Sequence, residues 1–300
     1  MSQIEIRNFQ ENDMQLLKKF REYLTSEQKV VFWWVGPKEN WQNVFCAFED
    51  EQMIAKGQVQ IVSEIPTGNT GHHKIFMNLK ILPEREEDNN LYDSLYKLLL
   101  QRASELKQTL SSQNKTMLCV GNYSTEERNN SFFIRQGFEY IESIFSMQRD
   151  LDKPIGKFKI KAPYQFRYWE MATDMDKKEY LKVEAEIWPD SPLRLDRLIE
   201  YQNNPLWKAL SVWRDNTLIG SVMVWKEDGQ GCIEDLFVRD SDRKQGIAKY
   251  LLSEALFYLK GNGCKSAFLD VNTNNESALS LYVSVGFEQE CEEVRYSKGI

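Results

Sequence analysis

Apolar and polar positions follow one another in short, regular runs along this chain, and the runs fall into two sets of similar order. In the later set, "WKALSVWR" (207–214) and "TLIGSVMVW" (217–225) flank Asp215-Asn216, a hairpin signal, and "GCIEDLFVR" (231–239) predicts a further strand. After it, "KQGIAKYLLSEALFYLKGNG" places Ile247, Leu251, Leu252, Ala255 and Leu259 on one helical face and stops at Gly261 and Gly263. "KSAFLDV" (265–271) then predicts a strand, and 275–284 a helix ending at Gly286. The earlier set repeats the plan: a polar amphipathic helix, short strands, a helix, a strand, a helix and a closing strand pair.

The repeat is visible in the letters themselves. "SFFIRQGFEYIE" (131–142) and "SLYVSVGFEQEC" (280–291) carry Gly-Phe pairs 149 residues apart. Between the sets, "RDLDKPIGKF" (149–158) brings charge, Pro154 and Gly156 together, as a linker or a domain's first irregular residues do. Two domains are therefore expected, residues 1–152 and 158–300, each an α/β (α+β) fold with a mixed, mostly antiparallel sheet flanked by helices. A length of 300 residues suits that division.

Composition narrows the chemistry. Asp and Glu number 45 against 38 Lys and Arg, a net charge of −7, which disfavours nucleic acid and favours a cationic partner. No apolar run reaches the length of a membrane span, and "MSQIEIRNFQENDMQLLKKF" scatters acids where a secretion signal would be apolar, so a cytoplasmic location is expected. The five cysteines are widely spaced with no CxxC, which argues against a disulfide framework or zinc site. His72 and His73 are the two histidines, adjacent and expected in a loop, so multi-histidine metal sites and Ser-His-Asp catalysis lack parts.

"VRDSDRKQGIA" (238–248) lies where a strand turns into a helix, so unpaired N–H groups and the positive end of the helix would face an anion there. Gly246 opens the main chain to it. Arg243, Gly246 and Ala248 resemble the pyrophosphate loop of the GNAT superfamily of N-acetyltransferases. Asn275, Ala278, Leu281, Tyr282, Gly286 and Phe287 are similar in spacing to that family's later helix and turn. The resemblance spans residues 160–300. It implies acetyl-coenzyme A as cosubstrate, held by Leu236, Phe237 and Val238 of the central strand, by Arg243, Lys244, Gln245, Gly246, Ile247 and Ala248 of the loop, and by Asn275 and Tyr282; it implies no metal.

"IEDLFV" (233–238) sets Glu234 on the strand face shared with Leu236 and Val238, with Asp235 on the other face and structural. By the same resemblance Glu234 takes the proton of the attacking amine and Tyr282 protonates the departing thiolate. "EAEIWPDSP" (184–192), Glu234 and Asp270 form an acidic set suited to a polycation. It resembles the aminoglycoside 6'-N-acetyltransferases, which implies acceptor contacts from Trp188, Asp190, Glu234 and Asp270. "IEDLFV" fits polyamine acetyltransferases equally. Peptide or protein amines as acceptors, or a noncatalytic acyl-coenzyme A binding module, are the alternatives; a monomer or homodimer is expected.

The first half lacks these signals. Sliding the loop back by 157 residues lays Arg243 on Glu86 and Gly246 on Asn89, giving the acidic "PEREEDNNLY", while Glu234 falls on Met77. At the 149-residue offset Tyr282 falls on Phe133. A GNAT-like domain without a coenzyme site is expected there. "VVFWWVG" (30–36) reads as core or as an interface.

Overall fold

A computed structural model of the chain describes residues 4–65, 71–189 and 192–300. They form two compact units, the first made of Met1–Ser143 with Cys291–Ile300 and the second of Ile144–Glu290. This differs from the expected cut between residues 152 and 158, for a reason that lies in two strands.

The first unit contains β1 (Glu5–Asn8), α1 (Met14–Glu27), β2 (Val44–Glu49), β3 (Gln52–Ser63), β4 (His72–Ile81), α2 (Asn89–Lys107), β5 (Lys115–Tyr123) and α3 (Glu127–Arg135). Its sheet runs β1-β2-β3-β4-β5, with β4 and β5 parallel and the other pairs antiparallel. The second contains β7 (Gln165–Trp169), α4 (Asp174–Ile187), α5 (Leu195–Gln202), β8 (Lys208–Arg214), β9 (Thr217–Glu227), β10 (Gln230–Val238), α6 (Ile247–Gly261), β11 (Ser266–Asn272) and α7 (Glu276–Ser284). Its sheet runs β7-β8-β9-β10-β11, with β10 and β11 the parallel pair.

Each sheet is closed by one long strand, and the two closing strands are exchanged. β6 (Glu139–Asp150) follows α3, yet its residues 144–150 pair antiparallel with β11, from Ile144↔Asn272 to Asp150↔Ser266. β12 (Glu288–Gly299) follows α7, yet its residues 293–299 pair with β5, from Glu293↔Tyr123 to Gly299↔Met117. Arg149 and Asp150, expected in a linker, therefore lie in a sheet. Met147 and Leu151 are buried in the second unit's core. His72 and His73, expected in a loop, begin β4; His73 is fully buried, its Nδ1 accepting from the Ile65 N–H (3.0 Å) and its Nε2 against the Ser111 carbonyl (3.0 Å).

The central strands β8 and β9 of the second unit are buried along their length, with alternate residues packing into cores on opposite faces. Val222 and Val224 of β9 pack beneath α6 with Leu251, Leu252, Ala255 and Leu259, while Met223 and Trp225 turn to a second cluster with Tyr180, Val183 and Trp213. The Asp215-Asn216 hairpin takes φ of +47° and +63°, the left-handed pair that two-residue turns need. Of "VVFWWVG", Val35 is fully buried and Trp34 is exposed. Among the described residues no helix is long and apolar enough to cross a membrane.

The exchange sets an expectation for fragments. Residues 158–300 lack the strand that covers β11 and two core side chains, each contributing about 1.5–3 kcal/mol when buried. A fragment of residues 144–290 is expected to melt cooperatively when followed by circular dichroism, and 158–300 is expected not to. Equal, sharp transitions for both would show that residues 144–157 are dispensable to this unit.

Candidate active site

The site begins with a break in register. Glu234 of β10 pairs with Met223 of β9, but Phe237 pairs with Ser221, so Asp235 and Leu236 oppose a single residue in a β-bulge. Asp235 takes φ +55° to make this turn. Across the bulge, a Cβ on Gly220 would sit 2.7 Å from the Phe237 carbonyl oxygen, so the bulged strand requires glycine there. On its other side β10 pairs with β11 at Gly231–Ala267 and Cys232–Phe268 and parts from it beyond. The opening leads into a cleft of about 1030 Å³, at the large end of small-molecule sites.

One end of the cleft is the β10–α6 turn. Asp242 anchors it: its carboxylate, 1 % exposed, accepts from the hydroxyls of Tyr164 (2.8 Å) and Ser241 (2.6 Å) and from the Arg214 guanidinium. Burial works to raise the Asp242 carboxyl, but these donors prevail and hold it below its ordinary value. Lys244 (φ +61°) and Gly246 (φ +77°) then turn the chain into α6, whose first residues, Ile247 and Ala248, line the cleft. Arg243 bonds Asp240 (2.8 Å) and donates through Nε to the Val238 carbonyl (3.3 Å). Arg243, Lys244, Gly246, Ile247 and Ala248 line the cleft; Gln245 is not among its lining residues.

The other end is acidic and aromatic. Burial pushes the Glu234 carboxyl up to about 7, helped by the nearby charge of Asp270 and opposed by Arg197. The Tyr282 hydroxyl is pushed up to about 12 by burial and by Glu234. Asp270 is exposed and accepts from Ser146 Oγ (2.5 Å), so a residue of β6 touches one of the expected acceptor contacts. Glu184 is buried at the end of α4, accepts from the Leu193 N–H (2.8 Å) and is raised by burial. Trp188 packs edge-on against Phe237 (5.9 Å), and Tyr201 stacks on Trp225 (4.8 Å). Asp190 lies outside the described residues.

Of the residues singled out from the sequence, Glu234, Leu236, Phe237, Val238, Asn275 and Tyr282 join Trp188 and Asp270 in this one cleft. Asn275 also caps α7, its side chain accepting from the Ala278 N–H (3.2 Å). Asp235 corrects the alternation argument. The bulge breaks period two, so Asp235 lines the same cleft as Glu234 while bonding the hydroxyl of Tyr180 on α4. Tyr180, Tyr201 and Asp242 carried no motif, whereas Glu184 opens the acidic set read from residues 184–192.

The corresponding region of the first unit is built differently. β4 keeps unbroken register with β3 from Ile75 through Ile81, with no bulge where β10 has one. Where β4 and β5 part, Lys80 and Glu126 form a buried ion pair, and Lys80 also donates to Asn122 Oδ1 (2.9 Å). Asn129 donates to the same Asn122 oxygen (3.0 Å) and to the Leu79 carbonyl (2.8 Å). Burial lowers the Lys80 ammonium from its usual range, and Glu126 opposes it. Asp88 caps α2 by accepting from the Leu91 N–H (3.1 Å), so the helix end already holds a carboxylate. The cavity left is about 240 Å³.

Comparison with known proteins places this geometry. Residues 168–287 match the acetyltransferase (GNAT) family. The chain is 41 % identical to human N-acetyltransferase 8 over 54 residues, which are 18 % of this chain and 24 % of that protein, so it spans about a quarter of the relative's length. In fold it is similar to a GCN5-related N-acetyltransferase from Sphaerobacter thermophilus (TM-score 0.80, 14 % identity, 99 % of this chain and 95 % of that one). It is also similar to a tandem GNAT protein from the clavulanic acid biosynthesis pathway (TM-score 0.69, 14 % identity, 99 % and 98 %). The chain thus has the fold of tandem GNAT proteins, and its residues 168–287 match the GNAT family of acetyltransferases.

Proposed function

We propose that this chain is an acetyl-coenzyme A dependent N-acetyltransferase whose second unit acetylates a primary amine of a cationic small molecule, an aminoglycoside 6'-amine or a polyamine. One observation carries the reading. A carboxyl poised near neutrality, a phenol that keeps its proton and a glycine-opened helix start converge on one cleft beside a bulged strand.

An alkyl ammonium with a pKa of about 10.4 is almost wholly protonated at neutral pH and cannot attack until it loses a proton. Glu234, ionised above about pH 7, accepts that proton directly or through water. The free amine then attacks the thioester carbon, and the carbonyl oxygen gains charge beside the main-chain N–H groups of Leu236 to Val238. As the C–S bond breaks, Tyr282 gives its proton to the leaving thiolate and is later reprotonated from solvent. The turn from Arg243 to Ala248 holds the pyrophosphate through main-chain donors, so the chain needs no basic surface around it. Trp188 walls the acceptor, and Glu184 and Asp270 take its further ammonium groups. By the same reading the first unit holds no coenzyme: Lys80 and Glu126 occupy its opening and Asp88 its helix start.

Because Glu234 acts as a base only when ionised, kcat/KM for a polyamine such as spermidine is expected to rise with pH through about 7. Tyr282, protonated to about 12, adds no fall in that range. Glu234→Gln is expected to abolish this limb and lower turnover by roughly 10² to 10⁴, and Tyr282→Phe to lower it by about tenfold or more, with acetyl-coenzyme A affinity nearly unchanged in both. Parent-like rates in both variants would remove the assigned roles.

Calorimetric titration with acetyl-coenzyme A is expected to give one site per chain, lost in Gly246→Asp, which strains a φ of +77° and adds a negative charge at the anion turn. Two sites would refute the reading of the first unit. None would refute the acetyltransferase itself.

A further inference from the structure

The catalytic strand bends at a residue other than glycine. Asp235 holds φ +55°, a conformation glycine adopts freely and a β-carbon resists. Its carboxylate is also buried, which favours the neutral acid: burial, with Glu184 and Glu234 nearby, pushes it up to about 7, against the pull of a hydrogen bond from Tyr180. The position thus bears a strained backbone and a desolvated carboxylate in one residue, where glycine would avoid both. What the aspartate supplies in return is an acceptor for Tyr180.

Tyr180 is built for that one contact. It lies on α4 with no exposed surface, its ring held by Trp169 (centroids 6.2 Å apart) and Phe237 (5.7 Å). Its hydroxyl donates to Asp235 Oδ2. The bulge is consequently tied to α4 from one side while Gly220 lets β9 approach from the other. The residues on either side of the tie are Glu234, the proposed base, and Leu236 to Val238, the proposed donors to the thioester oxygen.

We infer that the Tyr180–Asp235 hydrogen bond is a positioning device that fixes the β10 bulge, setting the Glu234 carboxylate and the Leu236–Val238 main-chain donors in register for acetyl transfer. This inference rests on the function proposed above. Tyr180 touches no reacting atom in this scheme; it acts through Asp235. The bond rather than the charge is the operative element, because an acceptor oxygen alone satisfies the Tyr180 hydroxyl.

Three substitutions in the full chain separate the elements. Tyr180→Phe removes the bond and keeps the charge. Asp235→Asn keeps an acceptor oxygen and removes the charge. Asp235→Gly relieves the backbone, and so preserves folding, while removing both bond and charge. Two readouts are needed: steady-state acetylation of spermidine with acetyl-coenzyme A, and amide hydrogen exchange in peptides covering residues 233–238.

Tyr180→Phe and Asp235→Gly are expected to lower kcat by about 10- to 100-fold with KM for acetyl-coenzyme A within about threefold, the split that misplacement of a reacting group produces. Both are expected to speed exchange across the bulge by about tenfold or more, as local opening becomes easier. Asp235→Asn is expected to stay close to the parent in both readouts. The inference is overturned if Tyr180→Phe leaves exchange unchanged, if exchange quickens while kcat holds, or if Asp235→Asn is as impaired as Tyr180→Phe. A parent that acetylates no amine would refute the proposed function separately, and exchange alone would then decide whether the bond fixes the bulge.

Discussion

The structure of the site depends on a single register break in β10. Two residues, Asp235 and Leu236, stand opposite one, and the strand swings away from β11 as it does so. A regular parallel pair would use the N–H groups here for its ladder and leave no opening between strands. The bulge releases main-chain donors, turns two consecutive carboxylates toward one cleft, and delivers the chain into the turn ahead of α6. Each feature is ordinary alone. They coincide because one backbone irregularity serves all three.

The first unit shows the same architecture with that irregularity absent. Its β4 continues in register through Ile81, and the place where β4 and β5 separate is filled by Lys80, Glu126, Asn122 and Asn129. A buried ion pair survives only when its remaining donors and acceptors are met, and here they are: Glu126 Oε1 also accepts from the main-chain N–H groups of Val31 (3.0 Å) and Tyr123 (2.9 Å). The unit has therefore exchanged an open polar cleft for a closed polar plug. Two copies of one fold differ in what satisfies the same diverging strands.

Much of this was legible beforehand, for local reasons. The α6 face, the Asp215-Asn216 turn and the glycine turn at 246 are specified by residues adjacent in sequence, and the structure has them where the letters put them. The acidic loop in the first half leads into a helix start, as the offset alignment suggested, though Asp88 as its cap did not stand out. What the sequence hid was non-local. Period-two alternation placed Asp235 away from Glu234 because a bulge leaves no mark when its residue is not glycine. Tyr180, 55 positions before its partner, is one more aromatic on an amphipathic helix. The proton affinity of Glu234 comes from burial and from Asp270 on another strand, neither of which a strand's own letters record.

Which sheet a strand joins was the largest omission, and it bears on how the chain reaches its native state. Residues 144–150 complete the second sheet before most of that sheet has been made, and residues 293–299 complete the first long after the rest of it. During synthesis β5 must wait for more than 150 residues to follow before its last neighbour exists. The first unit is thus the earlier to be translated and the later to be finished. An edge left unpaired through that interval is the kind of surface on which partly made chains associate.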